Sequence, residues 1–311
     1  MPIWPRRFLM TMNSAYHNPV LLQESVDGLN IKQDGVYVDV TFGGGGHSRE
    51  ILKRLGESGK LFAFDQDEDA LQNAIDDDRF QLINQNFRYL KQYLKFYGIR
   101  KVDGILADFG VSSHQFDEAE RGFSIRFNAD LDMRMDRTNA LSAFEVVNAY
   151  SQEDLATVLF QYGELRNANA MAKTIIAARE QKSIKTTDDL KTVLGKFLPK
   201  MKENKILAQI YQAIRIEVNQ EMEVLKEFLM QVPELLNQGG RLSMISYHSL
   251  EDRLVKRFIR DGRFEGEPEK DFYGNISVPL KKVGGLIVPS AEEIAQNSRA
   301  RSAKLRVAEK I

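Results

Sequence analysis

The first third of the chain holds glycines and a carboxylate that are spaced as in a cofactor site. Four glycines, Gly43 to Gly46, follow the apolar run 36–40. A second apolar run, 61–64, ends in Asp65, roughly 20 residues after the glycines. Glycine lacks a Cβ and lets backbone approach a ligand closely, while a carboxylate at that distance accepts hydrogen bonds from a ribose. The pattern predicts a site for a nicotinamide dinucleotide or for S-adenosylmethionine, because both present a ribose diol.

Two further carboxylates lie where predicted strands end. Asp39 falls within an apolar run, and a buried carboxylate is costly unless it is hydrogen-bonded or paired. We expect Asp39 to order the glycine loop or to meet the cofactor's ammonium group; the alternative is a solvent-exposed strand end. Asp108 closes the run 104–108, and strand ends form the mouth of a site in an open α/β sheet. A carboxylate there can accept a hydrogen bond or proton from a reacting amine; the alternative is a helix cap.

Two later segments also contain residue types that are used in nucleic-acid binding or in catalysis. The stretches 121–126 and 130–136 interleave arginine with aromatic and methionine side chains, which favours a surface that grips phosphates and stacks bases. Salt-bridged loops have a similar composition. The stretch 246–253 contains Ser, His and Asp, but the Gly-x-Ser-x-Gly elbow of hydrolases is absent. We therefore expect Ser249 to cap a helix, and His248 either to line the site or to be structural.

The predicted elements that position these residues alternate between strand and helix in the first third of the chain. A long helical stretch then follows. Strands are predicted at 36–40, 61–65, 80–84, 103–109 and 241–247, with a last edge strand at 303–308, and helices at 47–55, 67–76, 88–97, 220–236 and 250–259. Such alternation predicts a parallel sheet with helices on its faces. Between about 142 and 218 the periodicity is helical throughout. We predict an α/β, doubly wound Rossmann-like domain interrupted by an all-helical insert.

Composition narrows the class of protein. The 311-residue chain has no cysteine, which excludes disulfides, thiolate catalysis and cysteine zinc sites. Its four histidines show no metal-ligand spacing, so no metal is predicted. The absence of a long apolar run predicts a cytoplasmic protein without membrane contact, and residues 1–15 are expected to be a disordered tail. The net charge is −1, yet 173–205 carries +5 and 281–311 carries +4, and a local basic footprint suffices for a nucleic-acid binder. For most of the individual lysines, a solvated helix face is the favoured interpretation.

From about Tyr16 to Glu309 the chain resembles the MraW-type bacterial methyltransferases, the ribosomal RNA small subunit methyltransferase H family. The resemblance is carried by these blocks: 17–22, 39–48, 103–113, 120–124, 131–136, 212–219, 246–253 and 299–302. Members of this family transfer a methyl group from S-adenosylmethionine to the exocyclic N4 amine of a cytosine in the decoding region of 16S ribosomal RNA. The resemblance thus favours S-adenosylmethionine over a dinucleotide.

The family likeness also implies domains, partners and site residues. The methyltransferase domain would comprise 16–110 and 219–311, with 111–218 as an inserted helical, RNA-recognising domain. The substrate would be small-subunit ribosomal RNA in an assembled or nearly assembled 30S particle, while the oligomeric state, a dimer being one option, is left open. Asp108 is the candidate for activating the amine. Cofactor contacts are implied at Gly45, Gly46, His47, Asp65, Phe87, Asp108 and Gln115.

Some positions depart from the family pattern. His114 replaces a common proline, 128–130 replaces the usual glycine-proline, and Asn297-Ser298 replaces Asn-Pro. The Asn/Asp-Pro-Pro-aromatic motif of DNA amino-methyltransferases is also absent. Two alternatives to a methyltransferase stay open: an NAD-dependent oxidoreductase, which leaves the later blocks unexplained, and a non-enzymatic RNA-binding ribosome-assembly factor.

Overall fold

The computed structural model describes residues 19–112, 115–116, 118–268, 272–274 and 276–311. The expected tail at 1–15, the first residues of the 17–22 block, and Ser113 and His114 lie outside the described residues. Within them, no helix is long and apolar enough to cross a membrane.

One seven-stranded sheet organises the chain, in the order β3-β2-β1-β4-β5-β7-β6. Strands β1 to β5 pair in parallel, and β7 runs antiparallel to both of its neighbours, β5 and β6. The order reverses between β1 and β4, which is the place where open α/β sheets bind ligands. The predicted Rossmann-like α/β class is therefore confirmed. The strands are β1 Val36–Asp39, β2 Lys60–Asp65, β3 Phe80–Asn84, β4 Val102–Asp108, β5 Leu236–Ser246, β6 Leu280–Ile287 and β7 Lys304–Lys310.

Helices cover both faces of this sheet because strand side chains alternate between faces. Val38, Phe64 and Ile105 point to one face, where they pack with α9 and α10, whereas Tyr37 and Leu106 point to the other, where they pack with α1 and α2. The helices are α1 Leu22–Gly28, α2 Gly46–Arg54, α3 Leu90–Phe96, α4 Ala143–Ala149, α5 Gln152–Gln161, α6 Ala168–Arg179, α7 Thr187–Val193, α8 Glu203–Asn219, α9 Glu221–Leu235, α10 Ser249–Asp261 and α11 Ala291–Gln296.

Helices α4 to α8 follow one another without an intervening strand and share a hydrophobic cluster of their own. Helices α5 and α7 start at side-chain caps: Ser151 accepts a hydrogen bond from the Asp154 amide, and Thr186 forms a capping box with Asp189. Tyr162 packs against both this cluster and the cluster between the sheet and helices α9 and α10. The domain boundaries at 111 and 218 stay a prediction.

Several local expectations were wrong. The segment 67–76 forms a short 3-10 helix, Glu68–Asn73, rather than an α-helix. The strand predicted at 241–247 begins earlier, at Leu236, so Gly239 and Gly240 lie inside β5, at the point where the β4–β5 register shifts. The last strand is not an edge strand, because 280–287 forms β6 and pairs outside it.

Candidate functional site

The loop after β1 is tied to the end of β2 by Asp65. The Gly43 amide donates to Asp65 Oδ2 at 2.7 Å, and the Asp67 amide donates to Asp65 Oδ1 at 2.9 Å. Burial raises the pKa of Asp65 to about 6. Each carboxylate oxygen keeps a second lone pair, and the side chain is only partly buried. Asp65 therefore orders the loop and retains the capacity to accept hydrogen bonds from a ribose, the role predicted for it.

The glycines of this loop are required by the packing of the chain itself. A Cβ on Gly45 would lie 2.8 Å from the Phe42 ring and 2.6 Å from Arg49 Nη1, and a Cβ on Gly46 would overlap the ring of Pro19. At Gly43, with φ of 49°, the nearest atom to a Cβ would be in Ser112 at 3.8 Å. The sequence predicts that all four glycines allow a ligand to approach, whereas in the structure Gly45 and Gly46 also make room for neighbouring side chains.

Replacing Gly46 by alanine is expected to lower the free energy of unfolding by about 1–3 kcal/mol, the cost of forcing extra volume into a packed site. The matched change Gly195→Ala adds its methyl group where no atom lies within 4 Å. That variant should stay within about 0.5 kcal/mol of the parent. Urea unfolding of the three proteins measures the difference, and equal losses in both variants would contradict the steric argument.

Asp39 lies beneath the same loop and is completely buried. Its carboxylate accepts from the Ser48 hydroxyl at 2.7 Å and from the Thr41 amide at 3.1 Å. Burial raises the pKa of Asp39 to about 6. The expectation that Asp39 orders the glycine loop is therefore supported, while the alternative of a solvent-exposed strand end is wrong.

Asp108 stands at the end of β4, opposite the start of α2. The Tyr247 hydroxyl donates to Asp108 Oδ1 at 2.8 Å, and the Asp108 amide donates to Thr41 Oγ1 at 2.6 Å. Burial raises the pKa of the carboxyl to about 7, although its hydrogen bond from Tyr247 opposes the rise. Its side chain is still 22% exposed. Asp108 is thus partly accessible at the carboxyl ends of β1 and β4, beside the glycine loop, and changes its charge near neutral pH. The space at these strand ends, where the order of the sheet reverses, is called the cleft below.

His47 lies close to this carboxylate without forming an ion pair. Its Nε2 is 3.3 Å from the Val20 carbonyl oxygen, and its Nδ1 is 3.9 Å from Asp108 Oδ2. Burial lowers the pKa of His47 to about 4, so the ring is neutral at physiological pH. A proton on Nε2 would satisfy the carbonyl and leave the Nδ1 lone pair toward Asp108. His47 therefore adds no positive charge to the site.

Aromatic side chains lie together at the ends of β3 and β4. Phe87 follows β3 in a short 3-10 helix, Phe87–Tyr89. Its ring centroid lies 5.3 Å from that of Phe228 and 5.9 Å from that of Phe109, which directly follows Asp108. Phe87 is partly buried against the core. An apolar face at this place is compatible with the predicted contact to an adenine.

Sequence reasoning missed a buried charged network beside the cleft. Asp67 Oδ2 accepts from Gln115 Nε2 at 2.6 Å and from Arg121 Nη1 at 3.0 Å. Arg121 is 1% exposed and also bonds Asp69 and the carbonyl groups of 134 and 135. The expectation that Arg121 grips phosphates is wrong, because the guanidinium is enclosed. Gln115 belongs to the same network, and its Oε1 accepts a hydrogen bond from the Ser112 amide. A contact between Gln115 and the cofactor stays a prediction.

The Ser/His/Asp arrangement considered for 246–253 is not assembled in the described residues. Ser249 Oγ donates to Glu164, and Asp252 binds Lys304 and Arg306. The cap of α10 is His248 rather than Ser249, in a capping box with Glu251.

Ligand atoms of Glu221, His248 and Glu251 lie within 4.8 Å of one another, a grouping that histidine spacing did not predict. Arg215 donates two hydrogen bonds to Glu221, so the positive charge beside this cluster is supplied by its guanidinium group.

Comparison with known proteins covers nearly the whole chain. A family model described as the MraW methylase family matches residues 14–311. A Christiangramia forsetii protein named Ribosomal RNA small subunit methyltransferase H is 70% identical over 97% of this chain and 100% of its own. A Flavobacterium johnsoniae protein of the same name is 69% identical over the same shares. A Bacteroides thetaiotaomicron protein, again of that name, is 54% identical over 95% of this chain and 98% of its own. The matched regions include every strand end that forms the cleft.

Proposed function

This chain belongs to the MraW methylase family, and we propose from that membership and from the cleft that it is a ribosomal RNA methyltransferase. The reaction would transfer the methyl group of S-adenosylmethionine to the exocyclic N4 of a cytosine in the decoding region of small-subunit RNA. The observation that carries the proposal is the position of Asp108: a partly exposed carboxyl at the end of β4, facing the glycine loop.

The cofactor assignment is supported by three features at the ends of β1, β2 and β3. Asp65 retains a lone pair on each oxygen for a ribose diol, and Phe87 offers an apolar ring for an adenine. Gly43 leaves open space beside the loop. We assign Gly45, Gly46, His47, Gln115 and Asp108 to the same site on the family likeness. When bound, S-adenosylmethionine would supply an electrophilic methyl group.

Asp108 is proposed to act on the amine. The lone pair of an exocyclic cytosine amine is delocalised into the ring, which makes the nitrogen a weak nucleophile. An ionised Asp108 can accept a hydrogen bond from one amino proton, which localises the lone pair on nitrogen, and can take up that proton when the nitrogen gains the methyl group. Tyr247 holds one carboxylate oxygen and leaves the other for the substrate. Alignment of the two reactants supplies the rest of the acceleration.

The RNA assignment rests on the names of relatives that span this chain at 54–70% identity. We propose that residues 111–218 form an inserted domain that holds the RNA flanking the target base, and that the base turns out of its stack to reach the cleft. The substrate would be a 30S particle or its late precursor, and the protein would act in the cytoplasm.

The proposal is tested by incubating the protein with labelled S-adenosylmethionine and small ribosomal subunits that lack the modification. The RNA is then digested to nucleosides. Label in N4-methylcytidine is the expected result. Label in another nucleoside would overturn the position of transfer, and tight cofactor binding without transfer to any ribosomal particle would favour an RNA-binding assembly factor. Binding of NAD in preference to S-adenosylmethionine would favour the oxidoreductase.

The activity should depend on pH through Asp108. Because only the ionised carboxylate accepts the amino proton, turnover should rise as pH increases through about 7. The hydrogen bond from Tyr247 lowers the pKa of Asp108, so Tyr247→Phe should move this rise to higher pH. Initial rates from pH 5.5 to 9 measure the shift.

Tyr150→Phe is the matched control for this measurement. Tyr150 also donates to a carboxylate, Glu217 at 2.7 Å, but within the helical region. Its loss should leave the pH profile in place. A profile unchanged by Tyr247→Phe would argue that Asp108 does not set the pH dependence.

A further inference from the structure

A basic tip, defined as residues 196–205, lies between α7 and the first turn of α8. Its members with positive charge are all exposed: Lys196, Lys200, Lys202 and Lys205. Met201 beside them is 99% exposed. The acid in this segment, Glu203, pairs with Lys191 at 2.8 Å, so it does not neutralise the four lysines. The tip therefore presents uncompensated positive charge to solvent.

This charge stands out against the rest of the chain. The stretch 173–205 carries nine basic and four acidic residues, a net +5, while the whole chain carries −1, so the remainder carries −6. Like charges held together on a folded surface repel one another, and a bound polyanion relieves this repulsion. Together with the +4 of 281–311, this stretch forms a local basic footprint, which is typical of nucleic-acid contact.

A rigid helix fixes the distance between the tip and the cleft. Helix α8 has 17 residues, which corresponds to about 25 Å at the usual helical rise. Its last residue, Asn219, accepts from the Met135 amide at 2.7 Å and donates to the Met133 carbonyl at 2.8 Å. Met135 also contacts Gln66, directly after Asp65, through its sulfur at 3.2 Å. One end of α8 thus reaches the cofactor strand end, and the other carries the basic tip.

We propose that the tip is a second RNA-docking surface, which binds backbone phosphates of the substrate about one helix length, roughly 25 Å, from the end of α8 that contacts the cofactor strand. This proposal rests on the proposed function and names the surface that selects its substrate. Lysine contacts to phosphate are sequence-independent and serve to position the RNA. An RNA that fills the cleft and the tip together must hold its phosphates at that separation, which favours a folded particle over a short flexible strand.

The test replaces all four tip lysines by glutamine. The KM for small ribosomal subunits should rise on the order of tenfold or more, and its dependence on salt should become less steep because fewer counterions are released. The dissociation constant for S-adenosylmethionine and kcat at saturating subunits should be unchanged. The matched control replaces four exposed lysines outside both basic stretches, Lys60, Lys95, Lys101 and Lys256, and should leave the KM unchanged.

A second measurement separates this proposal from the reaction itself. Filter binding of protein-free small-subunit RNA should weaken in the tip variant and not in the control, whether or not methyl transfer occurs. Equal KM values for the parent and the tip variant would overturn the proposal. Loss of affinity for assembled subunits with unchanged affinity for the RNA would also overturn it, because the tip would then bind a ribosomal protein.

Discussion

Replacing Asp108 by alanine is expected to lower kcat on the order of 10²- to 10⁴-fold, the usual contribution of a group that handles a proton in the transition state. The carboxyl is at the end of β4 and contacts Tyr247 rather than the hydrophobic core, so the fold should persist. Methyl transfer to small ribosomal subunits at saturating S-adenosylmethionine measures the loss, and circular dichroism with urea unfolding checks the fold. Near-normal turnover in this variant would remove Asp108 from the reaction.

Asp108→Asn distinguishes hydrogen bonding from charge. The amide oxygen can still accept one hydrogen bond but does not titrate. We expect this variant to recover part of the activity and to lose the rise in rate near pH 7. Asp103→Asn is the control, because Asp103 lies on the same strand, away from the cleft, and accepts from the Val36 amide. An Asp108→Asn profile identical to that of the parent would assign the pH dependence to another group.

Replacing Arg121 by methionine is expected to lower the free energy of unfolding by about 3–5 kcal/mol, the cost of leaving a buried charge without its partner. The guanidinium is 1% exposed and binds both Asp67 and Asp69. Its removal leaves Asp67, which is 8% exposed, with Gln115 as its remaining side-chain donor. Urea unfolding measures the change. Because Asp67 follows the cofactor strand, affinity for S-adenosylmethionine should fall as well.

Arg126→Met provides the comparison for this prediction. Arg126 lies in the same segment but is exposed, and surface changes of this kind usually stay within about 0.5 kcal/mol. The double variant Arg121→Met with Asp67→Asn should be less destabilised than Arg121→Met alone, since no buried charge is then left over. A loss of under 1 kcal/mol in Arg121→Met would show that the buried pair does not hold this segment.

The local pattern of the sequence predicted the framework of the site. Apolar runs with intervening helical periodicity placed β1 to β4 within a residue of their observed bounds. The glycine loop and Asp65 were found together because their contact spans 22 residues within one strand-helix-strand unit. Elements of this kind are determined by neighbours in sequence, since alternation and turn chemistry are local properties.

Tertiary structure alone decided the electrostatics of the site. Tyr247 meets Asp108 from 139 residues away, because β5 pairs with β4. Arg121 was expected on the surface and is instead enclosed by Asp67, 54 residues distant. Likewise β7 lies inside the sheet because β6 pairs beyond it. Hydrophobic periodicity reports which face of an element is buried, but it carries no information on which distant charged or polar group will be buried beside it. That choice is made only when the strands take their order in the sheet.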